Sequence, residues 1–298
     1  MLTRTSIDQR TIDQVVTMAL AEDAPWGDLT TQTLIPAGAT ASATLTAREP
    51  GVFSGAEVLR AAMTTLARDV RVEVEIEIEI EDGDRFEAGG VLARIVGPAR
   101  AILQAERVAL NLIQRMCGIA TLTAAYVAAV QGTSARVVDT RKTTPGLRAL
   151  ERHAVRCGGG RNHRFSLSEA VLVKDNHLAV LAADRSTSLA EALRDARDAL
   201  PHTTHLEVEV DRVEQIEPVL QAGVDTIMLD NFTTDELVRG VALVAGRVLV
   251  EASGTITLET IAAVARTGVD IISVGALTHS VRSLDLGLDI VIDQQGDS

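Results

Sequence analysis

Asp139-Thr140-Arg141-Lys142-Thr143-Thr144-Pro145-Gly146 sets two adjacent cations at the end of a β-branched run, and Pro-Gly opens the segment that follows. Guanidinium forks grip carboxylates two atoms at a time, so this stretch suits an anionic substrate. Gly158-Gly159-Gly160 runs directly into Arg161-Asn162-His163-Arg164. A glycine run lets backbone approach a ligand closely or move over it, and Gly158–Arg161 is the expected mobile loop. Val173-Lys174-Asp175-Asn176-His177 puts a lysine at another strand end. His177 by itself reads as structural. Between Arg136 and Lys174 nine basic residues face only Asp139, Glu151 and Glu169, a net +6 within a chain of net charge −13. A positive island in an acidic protein fits a small polyanion. The acidic whole argues against nucleic-acid or anionic-membrane partners. Of 28 Lys+Arg residues only Lys142 and Lys174 are lysine. Arginine is a fixed planar fork and lysine a compact mobile charge. Lysine at just these two places points to a need for its geometry or for a tunable amine.

Carboxylates come next. Glu209 and Asp230 close successive β-branched runs. They could hold ribose hydroxyls or Mg²⁺, a hard cation that takes oxygen ligands, or pair with the two lysines. Ser253-Gly254-Thr255 precedes a helix-sized segment, and Val274-Gly275-Ala276 ends the last clear run. Late loops of this kind offer backbone N–H groups to phosphate at a helix start. The run Val72–Glu81 alternates aliphatic and acidic residues with period two and reads as a solvated sheet face. Two cysteines, Cys117 and Cys157, make no disulfide framework and read as small core residues of a protein in a reducing cytosol. Walker A, His-Glu-x-x-His and Cys-x-x-Cys are all missing, which removes P-loop, zinc-protease and structural-zinc readings.

The elements that must position these groups follow from periodicity. Residues 7–23 form an amphipathic helix, with Ile12, Val15, Val16, Ala19 and Leu20 on one face. Residues 38–98 are β-rich, with a hairpin turn at Asp82-Gly83. Residues 99–131 are helical with a break at Gly118, and Arg107 there is either an exposed rung or a buried contact. From residue 135, six apolar runs, ending near 140, 174, 210, 230, 251 and 275, alternate with helix-sized gaps. That pattern is a parallel sheet covered by helices. The polar residues sit at the carboxyl ends of the runs, the catalytic face of a barrel. The expected fold is therefore α/β: a β/α barrel, incomplete or irregular because eight strands would close it, over residues 135–298. An N-terminal α+β open-faced sandwich spans 1–134, with C-terminal residues packing back on it. The polar N-terminus and the lack of an apolar run of ~18 residues predict a cytoplasmic protein without a membrane span.

In order and spacing these segments resemble the quinolinate phosphoribosyltransferases (carboxylating nicotinate-nucleotide pyrophosphorylases). The resemblance runs from Glu22-Asp23 and Gly27-Asp28-Leu29-Thr30 through Glu106-Arg107 and Leu110-Asn111. It continues through Asp139–Gly146, Asn162-His163-Arg164, Lys174-Asp175-Asn176-His177 and Glu207–Val210. It ends with Leu229-Asp230-Asn231, Glu251 to Gly254 and Val274-Gly275-Ala276. It implies phosphoribosyl transfer from phosphoribosyl pyrophosphate to quinolinate with loss of CO2, with Mg²⁺ as cofactor, in a homodimer where Arg107 reaches the neighbouring subunit's site. It also implies roles. Arg107, Thr140, Arg141, His163 and Arg164 would bind the substrate, with Lys142 and Lys174 close to both substrates. Glu209 and Asp230 would face the ribose and its Mg²⁺. Ser253, Gly254, Thr255, Val274, Gly275 and Ala276 would hold the 5′-phosphate. Lys142, Lys174, Glu209 and Asp230 are the expected catalytic set. Thr255 departs from the Asn or Gly of that pattern, and Glu169 from its Asp. Two other readings stand beside it: a related phosphoribosyltransferase on another pyridine or small acid, and a barrel lyase using Lys142 or Lys174 as a Schiff base. A binding protein without turnover is a third.

Overall fold

The structure is a computed structural model that describes residues 7–69, 73–183 and 188–293. The chain divides into two compact units that interleave along it. The first takes 1–124, 143–159 and 278–298, and the second takes 125–142 and 160–277.

In the first unit, helix α1 (Gln9–Asp23) buries Ile12, Val16 and Leu20, one residue per turn. Val15 and Ala19 are only half-buried, so the buried stripe is narrower than the periodicity suggests. Helix α2 (Leu29–Leu34) starts where the Asp28 carboxylate accepts the Thr31 N–H at 3.0 Å. Strand β1 (Thr40–Ala47) alternates, burying Ala41, Ala43, Leu45 and Ala47. After strand β2 (Gly51–Val52) comes helix α3 (Ala56–Asp69), inside the stretch expected to be β-rich. Its buried Val58, Leu59, Ala62 and Met63 follow helical spacing. Its first N–H groups are satisfied from a distance, with Gly55 N and Ala56 N donating to Asp82 Oδ1 at 2.9 and 3.0 Å.

Strand β3 (Glu75–Ile78) is only four residues of the alternating run, with its glutamates exposed and its isoleucines half-buried; Val72 lies outside the described residues. Asp82-Gly83 is a turn but not a hairpin. Strand β4 (Arg85–Phe86) pairs with β2, whereas β3 pairs with β5 (Val91–Pro98). The Asp82 side chain, taken up by α3, explains the difference.

Helix α4 (Ala99–Ala129) carries the chain from the first unit into the second without the expected break at Gly118. A Cβ on Gly118 would lie 2.2 Å from the Arg282 carbonyl oxygen, so glycine serves close packing there. By length and composition α4 could cross a membrane, although charged and polar residues interrupt its apolar run. Half of that window is buried, as in a core helix.

The second unit holds strands β6 (Arg136–Val138), β7 (Val171–Val173), β8 (Leu206–Val210), β9 (Thr226–Asp230), β10 (Leu249–Ser253) and β11 (Ile271–Ser273). They form one parallel sheet in the order β6-β11-β10-β9-β8-β7. Pairing of β6 with the last strand of the series, rather than with its successor β7, is the winding of a barrel left open between β6 and β7. No closed barrel forms among the described residues. The free edge of β6 is extended by a parallel bridge from Val138 to Arg161.

Helices α6 (Asp175–Ala183), α7 (Leu189–Asp198), α8 (Ile216–Leu220), α9 (Thr234–Val244) and α10 (Ile261–Ala265) cross between these strands. Capping boxes at Ser188 with Glu191 and at Thr233 with Glu236 start α7 and α9, satisfying N–H groups that a helix leaves open. Helix α5 (Arg148–Cys157) belongs to the first unit, the short helix α11 (Ala276–His279) runs out of the second, and strand β12 (Leu286–Asp293) returns to pair with β1 along eight residues. The first unit's main sheet is thus antiparallel, β12-β1-β5-β3.

Candidate active site

The carboxyl ends of the second unit's strands carry most of the residues singled out in the sequence. Registration is direct: Asp230 pairs with Ser253, and Ala252 with Ile272, so the ends of β9, β10 and β11 stand side by side. Gly254 follows with φ +121°, and a Cβ there would lie 2.5 Å from Asn231 Oδ1. Only glycine lets the two strand ends approach so closely. Ser253 ends β10, and Gly254-Thr255 open the loop that leads to helix α10 at Ile261. Val274 is buried, Gly275 and Ala276 are half-buried, and Thr255 is exposed.

On the β6 side the organiser is Asp139, fully buried. Its Oδ1 accepts the His163 N–H at 2.8 Å and its Oδ2 accepts from Asn162 Nδ2 at 2.5 Å. Arg161 N donates to Val137 O and Asp139 N to Arg161 O. The loop is therefore pinned as an added strand edge. Gly158 is also packed, since a Cβ on it would meet Ala120 O at 2.4 Å. Gly158 therefore serves close packing.

His163 Nε2 lies 3.2 Å from Glu207 Oε2 and 3.5 Å from Glu251 Oε1. Burial favours the neutral ring, but the two glutamates outweigh it and raise the His163 pKa. In the neutral ring, Nδ1 accepting the Arg164 N–H at 2.7 Å places the proton on Nε2, facing the glutamates. Glu207 is itself raised, by burial and by Glu251 beside it. Glu207 Oε1 and Ser273 Oγ are buried with no hydrogen-bond partner among the described residues. The interior beneath the strand ends is thus polar by construction, at a real desolvation cost.

Arg164 reaches back to Ala170 O at 2.8 Å. Burial lowers its pKa, and the nearby Arg141 charge lowers it further against the pull of Glu207. Lys142 is exposed, its N–H accepted by Thr140 Oγ1 at 3.1 Å.

On the opposite side Lys174 Nζ pairs with Glu209 Oε2 at 2.7 Å. A lysine tied to a carboxylate differs from one set in an apolar pocket, the environment that makes a lysine nucleophilic. His177 Nδ1 accepts the Lys174 N–H at 2.9 Å and is a local cap. Glu209 and Asp230 line a cavity of 260 Å³ with Asp175, Asp211 and Asn231. Four carboxylates around a small cavity suit a hard cation. Among the described residues, Glu209 and Asp230 do not converge with a third ligand side chain as a closed cage would require, so water or substrate oxygens would complete the shell. Arg107 stands exposed on α4 in the first unit.

Sequence reading passed over Glu207, Glu251, Asp139, Asp175 and Asp211 as site members. A signal was present for two of them. In Leu206-Glu207-Val208-Glu209-Val210 and Val250-Glu251-Ala252-Ser253, period two puts Glu207 on the face of Glu209, and Glu251 on the face of Ser253.

Arg141 and Arg164, a buried histidine–glutamate cluster and a carboxylate-lined cavity, set on one open parallel sheet and its loops, define an α/β enzyme for small polyanionic substrates. The chain belongs to the quinolinate phosphoribosyltransferase family. Residues 28–117 match the N-terminal domain of quinolinate phosphoribosyl transferase and residues 119–289 its C-terminal domain. A nicotinate-nucleotide pyrophosphorylase [carboxylating] from Mycobacterium leprae is 46% identical over 277 residues, 91% of this chain and 94% of that one. A probable nicotinate-nucleotide pyrophosphorylase [carboxylating] from Bacillus subtilis is 42% identical over 274 residues, covering 92% and 91%. The crystal structure of NadC from Streptococcus pyogenes superposes with a TM-score of 0.90 at 38% identity, covering 97% of this chain and 100% of that one.

Proposed function

We propose that this chain transfers the phosphoribosyl group of phosphoribosyl pyrophosphate to quinolinate and releases CO2, giving nicotinate mononucleotide and pyrophosphate for NAD biosynthesis. The observation that carries the reading is the division of one strand-end rim into a double-guanidinium side and a four-carboxylate side. A dicarboxylate acceptor needs the first, and a ribose with a metal-bound pyrophosphate needs the second. The family match over residues 28–117 and 119–289 supports it.

In this reading residues 135–298 are the catalytic domain and 1–134 the N-terminal domain. Arg141, His163 and Arg164 hold the quinolinate carboxylates, with Thr140 beside them. Arg107 of a second copy completes the grip, which makes the working form a homodimer and gives an exposed arginine on an apolar helix a use. Lys142 and Lys174 stand near both substrates. Glu209 and Asp230 face the ribose hydroxyls and, directly or through water, Mg²⁺; a bound Mg²⁺ supplies charge neutralisation of the pyrophosphate. The backbone of Ser253, Gly254 and Thr255 and of Val274, Gly275 and Ala276 takes the 5′-phosphate.

The pyridine nitrogen attacks C1′ as the C1′–O bond breaks, and pyrophosphate leaves with the electron pair. Nearby carboxylates stabilise the oxocarbenium-like state between. The ring nitrogen, now quaternary, accepts the charge left on the adjacent carbon when that carbon's bond to CO2 breaks, and a proton fills the position. The protein's share is orientation and charge compensation in a preorganised site. The enzyme works in the cytoplasm, where this chemistry needs no disulfide or membrane.

The test is formation of nicotinate mononucleotide and CO2 from quinolinate, phosphoribosyl pyrophosphate and Mg²⁺, with nicotinate run in parallel. Stoichiometric products from quinolinate and little from nicotinate are expected. Turnover of nicotinate alone would overturn the dicarboxylate assignment.

A further inference from the structure

The first unit holds a second constellation that phosphoribosyl transfer does not use. His153 and Cys157 stand one turn apart on α5 and so share a face of that helix. Asp82 meets them: His153 Nε2 lies 2.6 Å from Asp82 Oδ2. The Cys157 Sγ accepts from Ser54 Oγ at 3.3 Å. One donor atom from each of Asp82, His153 and Cys157 lies within 4.8 Å of the other two, so three different donors converge on one point.

A carboxylate, an imidazole and a thiol make the mixed donor set that a borderline-soft divalent cation prefers over Mg²⁺ or Ca²⁺. The carboxylate is already oriented, because Asp82 Oδ1 is held by Gly55 N and Ala56 N and leaves Oδ2 to face the histidine. Outer hydrogen bonds of this kind fix ligands in built metal sites. A cavity of 400 Å³ reaches Asp82 and His153 past Gly55, Ala56 and Val58, giving a path in and room for a water ligand. Cys117 stays outside the set, since burial pushes its thiol up to about 12 and keeps it protonated.

We propose that Asp82, His153 and Cys157 form a site for one thiophilic divalent cation, zinc in the first instance, with water as the fourth ligand. Zinc at tetrahedral bond lengths sets its nitrogen and oxygen ligands about 3.3 Å apart, so the 2.6 Å contact must open by ~0.7 Å. As the metal enters, the thiol loses its proton and Nε2 gives up its own, leaving the neutral ring protonated on Nδ1. The Arg156 guanidinium, 3.4 Å from Nδ1, must then turn aside.

The test is titration of the metal-free full-length protein with Co²⁺, followed by back-titration with Zn²⁺. A near-ultraviolet thiolate-to-cobalt charge-transfer band that saturates at one equivalent, and that Zn²⁺ abolishes, is expected. Cys157→Ser should remove the band, Cys117→Ala should keep it, and His153→Phe should weaken binding by more than ~100-fold, beyond the usual cost of losing an outer-shell partner. The histidine and glutamates at 163, 207 and 251 carry no sulfur and cannot produce the band. On the unaltered protein, Zn²⁺ should slow iodoacetamide alkylation of Cys157, read by peptide mass spectrometry, at least tenfold. No charge-transfer band, a band that survives Cys157→Ser, or alkylation of Cys157 unaffected by Zn²⁺ would each overturn the assignment.

Discussion

Replacing Lys174 with methionine separates folding from catalysis. The side chain is 47% exposed and makes one ion pair, 2.7 Å to Glu209. A pair of that exposure contributes about 1 kcal/mol at most. Glu209 is more buried, at 12%, yet it borders a 260 Å³ cavity that water can fill, so its charge is not stranded by the loss. Unfolding in urea should therefore shift by about 1 kcal/mol or less. In the proposed reaction the same ammonium sits against the pyrophosphate and the developing charge. Removing a preorganised charge of this sort costs roughly 2.7–4 kcal/mol of transition-state stabilisation, a 10²- to 10³-fold loss. The assay is CO2 and nicotinate mononucleotide formation at saturating and limiting quinolinate, beside urea curves on the same preparation. The loss should fall mainly on kcat. A fall below tenfold in kcat/KM, or a stability loss above ~2 kcal/mol with normal activity per folded molecule, would show that Lys174 is a structural ion pair and would refute the assignment.

Lys142→Arg should lose most activity although charge is conserved, because a planar fork cannot occupy the place of a compact ammonium; near-normal rates would remove the argument from lysine scarcity. Mixing inactive Arg107→Ala and Lys174→Ala subunits should restore part of the activity in hybrid dimers, and none in verified hybrids would exclude a shared site. Gly118→Ala should destabilise by about 1–3 kcal/mol in urea. The helix gains ~1 kcal/mol from alanine, but the added Cβ must push Arg282 O away from 2.2 Å and strain the bond from Leu284 N to Gln114 O; a stabilised variant would contradict that packing. Glu49 is held at about 2, first by hydrogen bonding to Arg282 and then by the Asp285 N–H. A depressed carboxylate stabilises above its unfolded value of 4.5, and its contribution fades as pH falls toward 2. Discounted for the exposed arginine this is roughly 1 kcal/mol, so the melting difference between wild type and Glu49→Gln should shrink below pH 4.5, and a constant difference would deny the linkage.

The six strands of the second unit were legible because β-branched runs such as Thr226–Leu229 are buried on both faces and leave an unbroken apolar signature. The strand-end chemistry was legible for the same reason, as polar residues stand out against such runs. Local signals failed where a distant side chain decides the structure. Ser54-Gly55-Ala56-Glu57 carries a local helix-start signature, but the side chain that takes the Gly55 and Ala56 N–H groups, Asp82, arrives 26 residues after Ala56. The same long-range capture turned an apparent hairpin turn at Asp82-Gly83 into a fastening point. Glycines misled in one consistent way. Gly118 and Gly158 read as a break and a flexible loop, yet each marks a place where backbone meets backbone. Single-sequence patterns carry no trace of the partner surface. The buried Glu207 and Glu251 needed only the period-two rule applied one residue pair further.

The first unit's sheet is finished by the last strand of the chain, β12, which lies against β1 from Thr40↔Asp293 to Ala47↔Leu286. On a ribosome this fixes an order of events. β1 leaves the exit tunnel early and keeps one open edge while the rest of the chain is translated, roughly ten to fifty seconds at ~5–20 residues per second. Through that interval a row of alanines and a leucine waits beside unpaired N–H and C=O groups, the pattern that invites pairing with another nascent chain. The first half of this protein is therefore among the first parts synthesised and the last to be completed, so its cellular yield should depend on holding factors that guard an N-terminal strand until β12 has been made.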